Sequence, residues 1–238
     1  MLTMLKRLHK DKRGITGLET GIILVAFVVV ASVFAYTVIS AGMFSSQKGQ
    51  EAIYAGLEEA RGSIALKGTV VAYEGSVDTD ADDIGDTDAM VKVTFTATNA
   101  AGGTPADLTP AWQLNGTDGN LETSGLANPV VVNYSDGKQL LEDAAYTVAF
   151  VGKNDGDNIL ESEEKAEITV WVSDYQYDAV LGLHYSLGAG AADPFIDAAG
   201  DLVAAGDSFS LQITGEAGAP LTIERTLPPE LDGMMRLR

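Results

Sequence analysis

Apolar residues are laid out along this chain in two regimes. From Thr20 to Phe44 no charged residue occurs, and apolar side chains fall on every side of a helical projection. Such a run is long enough to cross a hydrocarbon layer of ~30 Å. A helix that is apolar all round belongs in lipid or inside a bundle of helices. Small residues interleave it, among them Gly17, Gly21, Ala26, Ala31, Ser32 and Ala35, and Gly17 with Gly21 forms a small-xxx-small pair that lets helices approach closely. From Gln47 onward the pattern changes. Ile53, Leu57, Ala60 and Ile64 recur at helical spacing, with Glu51, Glu58, Glu59 and Arg61 elsewhere, which reads as an amphipathic continuation. No proline occurs before Pro105, so the spacing predicts one helix over 15–67, extending ~80 Å at the helical rise. Gly42, Gly49, Gly56 and Gly62 weaken it and mark candidate bends.

Beyond Lys67 the period shortens to two. Val91-Lys92-Val93-Thr94-Phe95-Thr96 and Ser208-Phe209-Ser210-Leu211-Gln212-Ile213 alternate apolar and polar residues, as strands with one buried face do. Strands are predicted at 69–73, 90–98, 130–134, 146–152, 166–172, 181–187, 208–214 and 221–225. Turn clusters such as Ala101-Gly102-Gly103-Thr104-Pro105 and Ser135-Asp136-Gly137 separate them. The predicted fold class is α+β: a long N-terminal hydrophobic helix, then an antiparallel immunoglobulin-like β-sandwich or barrel. No internal repeat is visible. The chain divides into a leader (1–14), the helix (15–67) and a head domain (68–238).

Charge sharpens this division. Residues 1–67 hold eight Lys/Arg against five Asp/Glu, whereas 68–238 hold seven against 29, a balance of −22. An acidic head repels phosphates, which argues against nucleic-acid binding. It suits solubility and tolerance of salt. Cysteine is absent, so disulfides, thiolate metal sites and a cysteine nucleophile are excluded. His184 has no second histidine beyond His9 of the leader, which argues against a His-metal site or a His-centred triad. No phosphate-binding loop and no nucleophile–base motif stands out. Trp112 and Trp171 read as packing residues, in the core or between subunits.

The basic leader carries Lys6, Arg7, Lys10, Lys12 and Arg13 directly before the apolar run. Positive charge flanking an apolar span stays on the cytoplasmic side, so the head is expected outside. The junction Lys12-Arg13-Gly14-Ile15-Thr16-Gly17-Leu18-Glu19 places a basic pair and Gly14 in front of the hydrophobic helix rather than behind it. Cleavage there leaves the helix at the front of the mature chain, removes five positive charges and one negative, and takes the net charge from −19 to −23. An uncut signal anchor is the plainer alternative.

With Lys12-Arg13-Gly14, Glu19 and the run Ile22–Ile39, residues 6–67 resemble the archaeal flagellins (archaellins), within the type IV pilin-like proteins that carry a class III signal peptide. The stretch 221–229 is similar to the closing strand of archaellins. The resemblance implies that a membrane-embedded prepilin-type signal peptidase cuts between Gly14 and Ile15. It implies that Glu19 pairs with the new amine of Ile15, on a neighbouring subunit or the same one. Ile15 departs from the phenylalanine that many pilins carry there. A carboxylate among apolar neighbours is costly unless paired; the plainer reading of Glu19 is a carboxylate solvated near the headgroups. The implied function is a structural subunit of an extracellular archaellum filament. The subunit polymerises with itself or with paralogous subunits, from a membrane-inserted precursor, on an assembly platform and motor that rotates the filament. No enzymatic activity is implied. An adhesive, non-rotating pilus subunit shares the same leader and helix, and a membrane-anchored binding domain or hydrolase is a third reading.

Two kinds of head-domain site are expected. The segment 154–164 is rich in hard oxygen donors, with Asp155, Asp157, Asn158 and Glu161 as candidate ligands for Ca²⁺ or Mg²⁺. Its spacing does not reproduce an EF-hand, and an ordinary acidic turn is the alternative. Archaellins often carry a similar Asn/Asp-rich segment followed by Leu-Glu, associated with metal binding. A second acidic stretch, Asp78, Asp80, Asp82, Asp83, Asp86 and Asp88, reads as a solvated linker without a rigid framework. N-glycosylation sequons stand at Asn115-Gly116-Thr117 and Asn133-Tyr134-Ser135. Asn115 lies in a Gly-rich loop, and Asn133 closes a strand.

Overall fold

The computed structural model describes residues 13–60, 64–82, 84–100, 103–178, 182–188, 193–216 and 218–237. The leader lysines and arginine at positions 6–12, together with Arg61, Gly62, Asp83 and Leu181, lie outside the described residues. The chain forms two compact units, Met1–Gly56 and Leu57–Arg238.

The first unit is helical. Helix α1 spans Arg13–Ala60, 48 residues, or ~72 Å of rise. Its segment Gly17–Leu57 has a mean hydropathy of 2.8 and is long and apolar enough to cross a membrane. Two of the hydroxyls inside the apolar run are satisfied on the helix itself. Ser32 Oγ donates to the Val29 carbonyl and Thr37 Oγ1 to the Phe34 carbonyl, both at 2.8 Å. Neither therefore needs water.

The second unit is built of fifteen described strands: β1 (Ile64–Asp78), β2 (Thr87–Asn99), β3 (Ala106–Asp107), β4 (Trp112–Leu114), β5 (Leu121–Thr123), β6 (Val131–Asp136), β7 (Leu140–Leu141), β8 (Tyr146–Phe150), β9 (Ile159–Leu160), β10 (Lys165–Trp171), β11 (Asp174–Asp178), β12 (Gly182–Ser186), β13 (Ser208–Thr214), β14 (Leu221–Thr226) and β15 (Met235–Leu237). The larger sheet runs β11-β12-β1-β2-β10-β8, with β15 also pairing β1. The smaller runs β14-β13-β6-β7. Pairing is antiparallel except between β1 and β12. Alternation decides which face of each strand is buried. Val91, Val93, Phe95 and Ala97 of β2 are at most 1 % exposed, and they meet Phe209, Leu211 and Ile213 of β13 in one core. Two sheets sharing a core define a sandwich, as the alternation predicted. Tyr134 and Phe209 stack within it at 6.1 Å.

The described helix runs to Ala60, and a strand already begins at Ile64, inside the stretch 15–67 expected to be helical. The reason is partner geometry. Ile64, Ala65, Leu66 and Lys67 pair with Asn99, Thr98, Ala97 and Thr96 on β2, which buries Ile64 to 6 % exposure. A further helical turn would have left Ile64 without that cover, so long-range pairing overrides the helical spacing. Gly68, at φ +93°, lies between the register points Lys67 and Val71, where β1 bulges. Glycine meets that left-handed position without strain.

Candidate assembly surface and head-domain sites

The helix presents an exposed apolar surface. Ile22, Phe27, Val30 and Phe34 are 62–73 % exposed. At Gly17 and Gly21 the missing side chains leave a shallow groove also lined by Leu18, Ile22, Val25 and Ala26. Charge returns only beyond the apolar run, where Lys48 Nζ meets Glu51 Oε2 at 2.6 Å on the exposed face. Gly14 and Ile15 lie in the first turn of α1, and Glu19 follows four residues after Ile15. An apolar patch of this extent marks a surface for contact with lipid or protein.

The 154–164 loop is a sequence of turns. Gly156 N–H donates to Asn154 Oδ1, and Ile159 N–H donates to Asp157 Oδ1 at 2.9 Å. Asp157 N–H points at Asp155 Oδ1 at 3.4 Å. The Asn158 carbonyl accepts from Leu108 N–H at 2.8 Å, tying the loop to the strand pair β3–β9. Asp155, Asp157, Asn158 and Glu161 are all exposed. Among the described residues, their carboxylate oxygens do not gather three within 4.8 Å of one another. Buried Glu164 serves the backbone instead: its Oε2 accepts from Glu161 N–H at 3.0 Å.

The carboxylates that do converge are those of Asp78, Asp80 and Asp82, with ligand oxygens within 4.8 Å of one another. This corrects the expected loose linker. Asp78 belongs to β1, is 5 % exposed, and accepts from Asp80 N–H at 3.1 Å and Ala81 N–H at 2.8 Å. Thr79 Oγ1 donates to Asp86 across the turn at 2.8 Å. Ala81 is held at φ +63°. Crowding shows in Asp80, whose pKa is raised first by Asp82, then by burial, Asp86 and Asp78.

The sequons differ in setting. Asn115 opens the turn between β4 and β5, where its Oδ1 accepts from Thr117 N–H at 2.8 Å and its Nδ2 donates to Glu122 at 3.2 Å. Asn133 sits inside β6, paired with Gln212 of β13, and its Oδ1 accepts from Asp143 N–H at 3.2 Å. His184 is buried in β12. Trp171 is 2 % exposed, and Trp112 meets Phe195 edge-on at 5.3 Å, so both tryptophans pack within the head.

One further constellation was not anticipated. Tyr73, Lys92 and Trp171 stand in register across β1, β2 and β10. Lys92 Nζ lies 4.6 Å from the Trp171 ring centroid, 5.1 Å from Tyr73 and 5.8 Å from Tyr175. Tyr175 continues to Tyr185 at 5.3 Å. Gly75 makes room for Tyr185, since a Cβ there would stand 2.5 Å from its ring. The signal for this cluster is strand register, which is not visible until the strands are paired.

The chain thus joins a long apolar helix to an acidic β-sandwich with its own core. The profile of archaeal-type flagellins matches residues 14–225, and the chain belongs to that family. It is 35% identical over 237 residues to a probable flagellin 1 of Archaeoglobus fulgidus, covering 97% of this chain and 98% of that one. It is 29% identical to a probable flagellin 1 of Aeropyrum pernix, over 93% of this chain and 95% of the other. The structure of the archaeal flagellum of Methanospirillum hungatei strain JF1 aligns with 93% of this chain and 98% of its own, at 22% identity and a TM-score of 0.47. The chain is thus a structural subunit of the archaellum filament, without enzymatic function.

Proposed function

We propose that this subunit is made as a membrane-inserted precursor, cut between Gly14 and Ile15 by a prepilin-type peptidase, and passed from the bilayer into the filament by an assembly platform whose motor turns it. The observation that carries this reading is the uncovered apolar segment Gly17–Leu57 directly behind a basic leader. Lipid covers it first, and the helices of other copies cover it afterwards. Glu19 is the residue through which cleavage and assembly are coupled. Its carboxylate enters an apolar setting at low cost only when a cation meets it, and the amine freed at Ile15 supplies one.

Two modifications of the head go with this reading. Asn115, in an open hairpin turn, is the preferred N-glycan acceptor over Asn133, whose backbone is paired inside a sheet. A structural cation, Ca²⁺ or Mg²⁺, is proposed for the 154–164 loop. With Asp155 and Asp157 turned towards backbone N–H groups, its ligand shell draws on carbonyl and water oxygens as well.

Peptide mapping of purified filaments by mass spectrometry tests these points together. The mature N-terminal peptide should begin at Ile15, and glycopeptides should report Asn115. Gly14→Val should leave the full-length precursor in the membrane fraction. Filaments of normal abundance built from that uncut variant would refute the proposed cleavage.

A further inference from the structure

We propose that Lys92 and the aromatic rings around it receive a carboxylate from a second copy of this chain in the assembled filament. The inference rests on the filament reading and adds a contact between heads to the one between helices.

Lys92 is on the face of β2 opposite the core, next to buried Val91 and Val93. It is half-buried, and burial lowers its pKa below the ordinary lysine value, with no partner charge among the causes. Among the described residues no carboxylate lies within 4.0 Å of it, whereas Lys138 pairs with Asp207 and Lys153 with Glu163. Its ammonium faces the rings of Trp171, Tyr73 and Tyr175 instead. Cation–π attraction offsets part of the lost hydration but leaves the N–H donors without an oxygen. That is a cation half prepared for an ion pair. Its aromatic walls exclude water and thereby strengthen any charge that comes to it.

The occupant follows from charge. Residues 68–238 carry 29 Asp/Glu against seven Lys/Arg. Any head surface that a filament brings against this face therefore offers carboxylates in large excess. Between like-charged heads, an unpaired ammonium is where a neighbour's Asp or Glu gains rather than loses by approaching.

Carbodiimide coupling, which joins an amine and a carboxylate only where they touch, is the test. Filaments and detergent-dissociated subunits are treated in parallel, separated by size, and digested for mass spectrometry. The expected result is a peptide joining Lys92 to an Asp- or Glu-containing peptide in the dimer band of filaments, absent from dissociated subunits. K92Q should lose that peptide while the melting of its dissociated head stays near wild type. The proposal is overturned if wild-type filaments form yet yield no such peptide and Lys92 is acetylated as readily in filaments as in free subunits. It is equally overturned if the coupled peptide appears only in the monomer band. Both outcomes leave the filament reading standing.

Discussion

Val30→Asp places one carboxylate near the middle of the uncharged run of α1 and leaves the head domain untouched. Val30 is 68% exposed in the single chain, so most of its side chain is available for burial by lipid or by other helices. Burying a valine completely is worth about 1.5–3 kcal/mol; the exposed share here gives ~1–2 kcal/mol. A carboxylate at the centre of an apolar span adds a cost of ~3 kcal/mol. Together these make ~4–5 kcal/mol per subunit, or roughly three powers of ten in the subunit equilibrium. Val30→Ala removes only part of the first term and serves as the control. The assay is filament yield by sedimentation and electron microscopy, with head-domain melting measured in the same preparations. Val30→Asp should abolish filaments with head melting unchanged, and Val30→Ala should keep them. Filaments of wild-type length and yield from Val30→Asp would show that this face of α1 is not buried on assembly, and the argument from apolar cover would fail.

Three other predictions concern the head. Ala81→Gly should raise head stability by up to ~1 kcal/mol in denaturant melts, because glycine relieves the left-handed backbone at φ +63°. Asp207 is held below the ordinary carboxylate pKa by the Ala204 N–H at 2.9 Å and by Lys138 at 3.1 Å. Its folded pKa is therefore below its unfolded one, so its contribution is present above about pH 4 and lost as pH falls through the folded value. Asp207→Asn should lower the melting temperature slightly at pH 7, and the difference should close in acid. Asp155→Ala with Asp157→Ala should lower melting temperature more in calcium than in chelator, where only the loop's hydrogen bonds are lost; an equal drop in both would assign the loop a purely hydrogen-bonding role.

What the sequence discloses here depends on how far a residue's role is local. Strand β13 falls at 208–214 as expected because Phe209, Leu211 and Ile213 alternate with polar residues, and alternation alone decides which face is buried. The apolar run of α1 is equally self-declaring. The two-residue strands β3, β7 and β9 carry no period of their own and exist only through their partners. Strand β15 is likewise defined by pairing with Val70–Ala72, far away in sequence. The acidic sites divide on the same ground. Spacing favoured 154–164, where Asp155 and Asp157 look alternately placed, yet their oxygens go to local N–H groups. It passed over Asp78, Asp80 and Asp82, which meet because Asp78 ends a buried strand and the chain turns back over it. Lys92 stood in plain view as a polar position of an alternating strand. Only register adds the rings of Tyr73 and Trp171 to it.

The two halves of this chain place opposed demands on assembly. Each subunit added covers apolar helix surface, a gain that salt does not weaken. The same step sets beside one another heads whose sequence balance is −22, a repulsion that screening confines to ~8 Å at physiological ionic strength. The head has a core of its own that closes between its two sheets, from Val70 and Phe95 to Leu211 and Ile223. An acidic surface of this kind limits lateral clumping. Contacts between heads have a narrower role. They must reduce repulsion at defined points without turning the outer surface adhesive. An ammonium recessed among aromatic rings is suited to this, since it attracts one carboxylate at short range and little at long range.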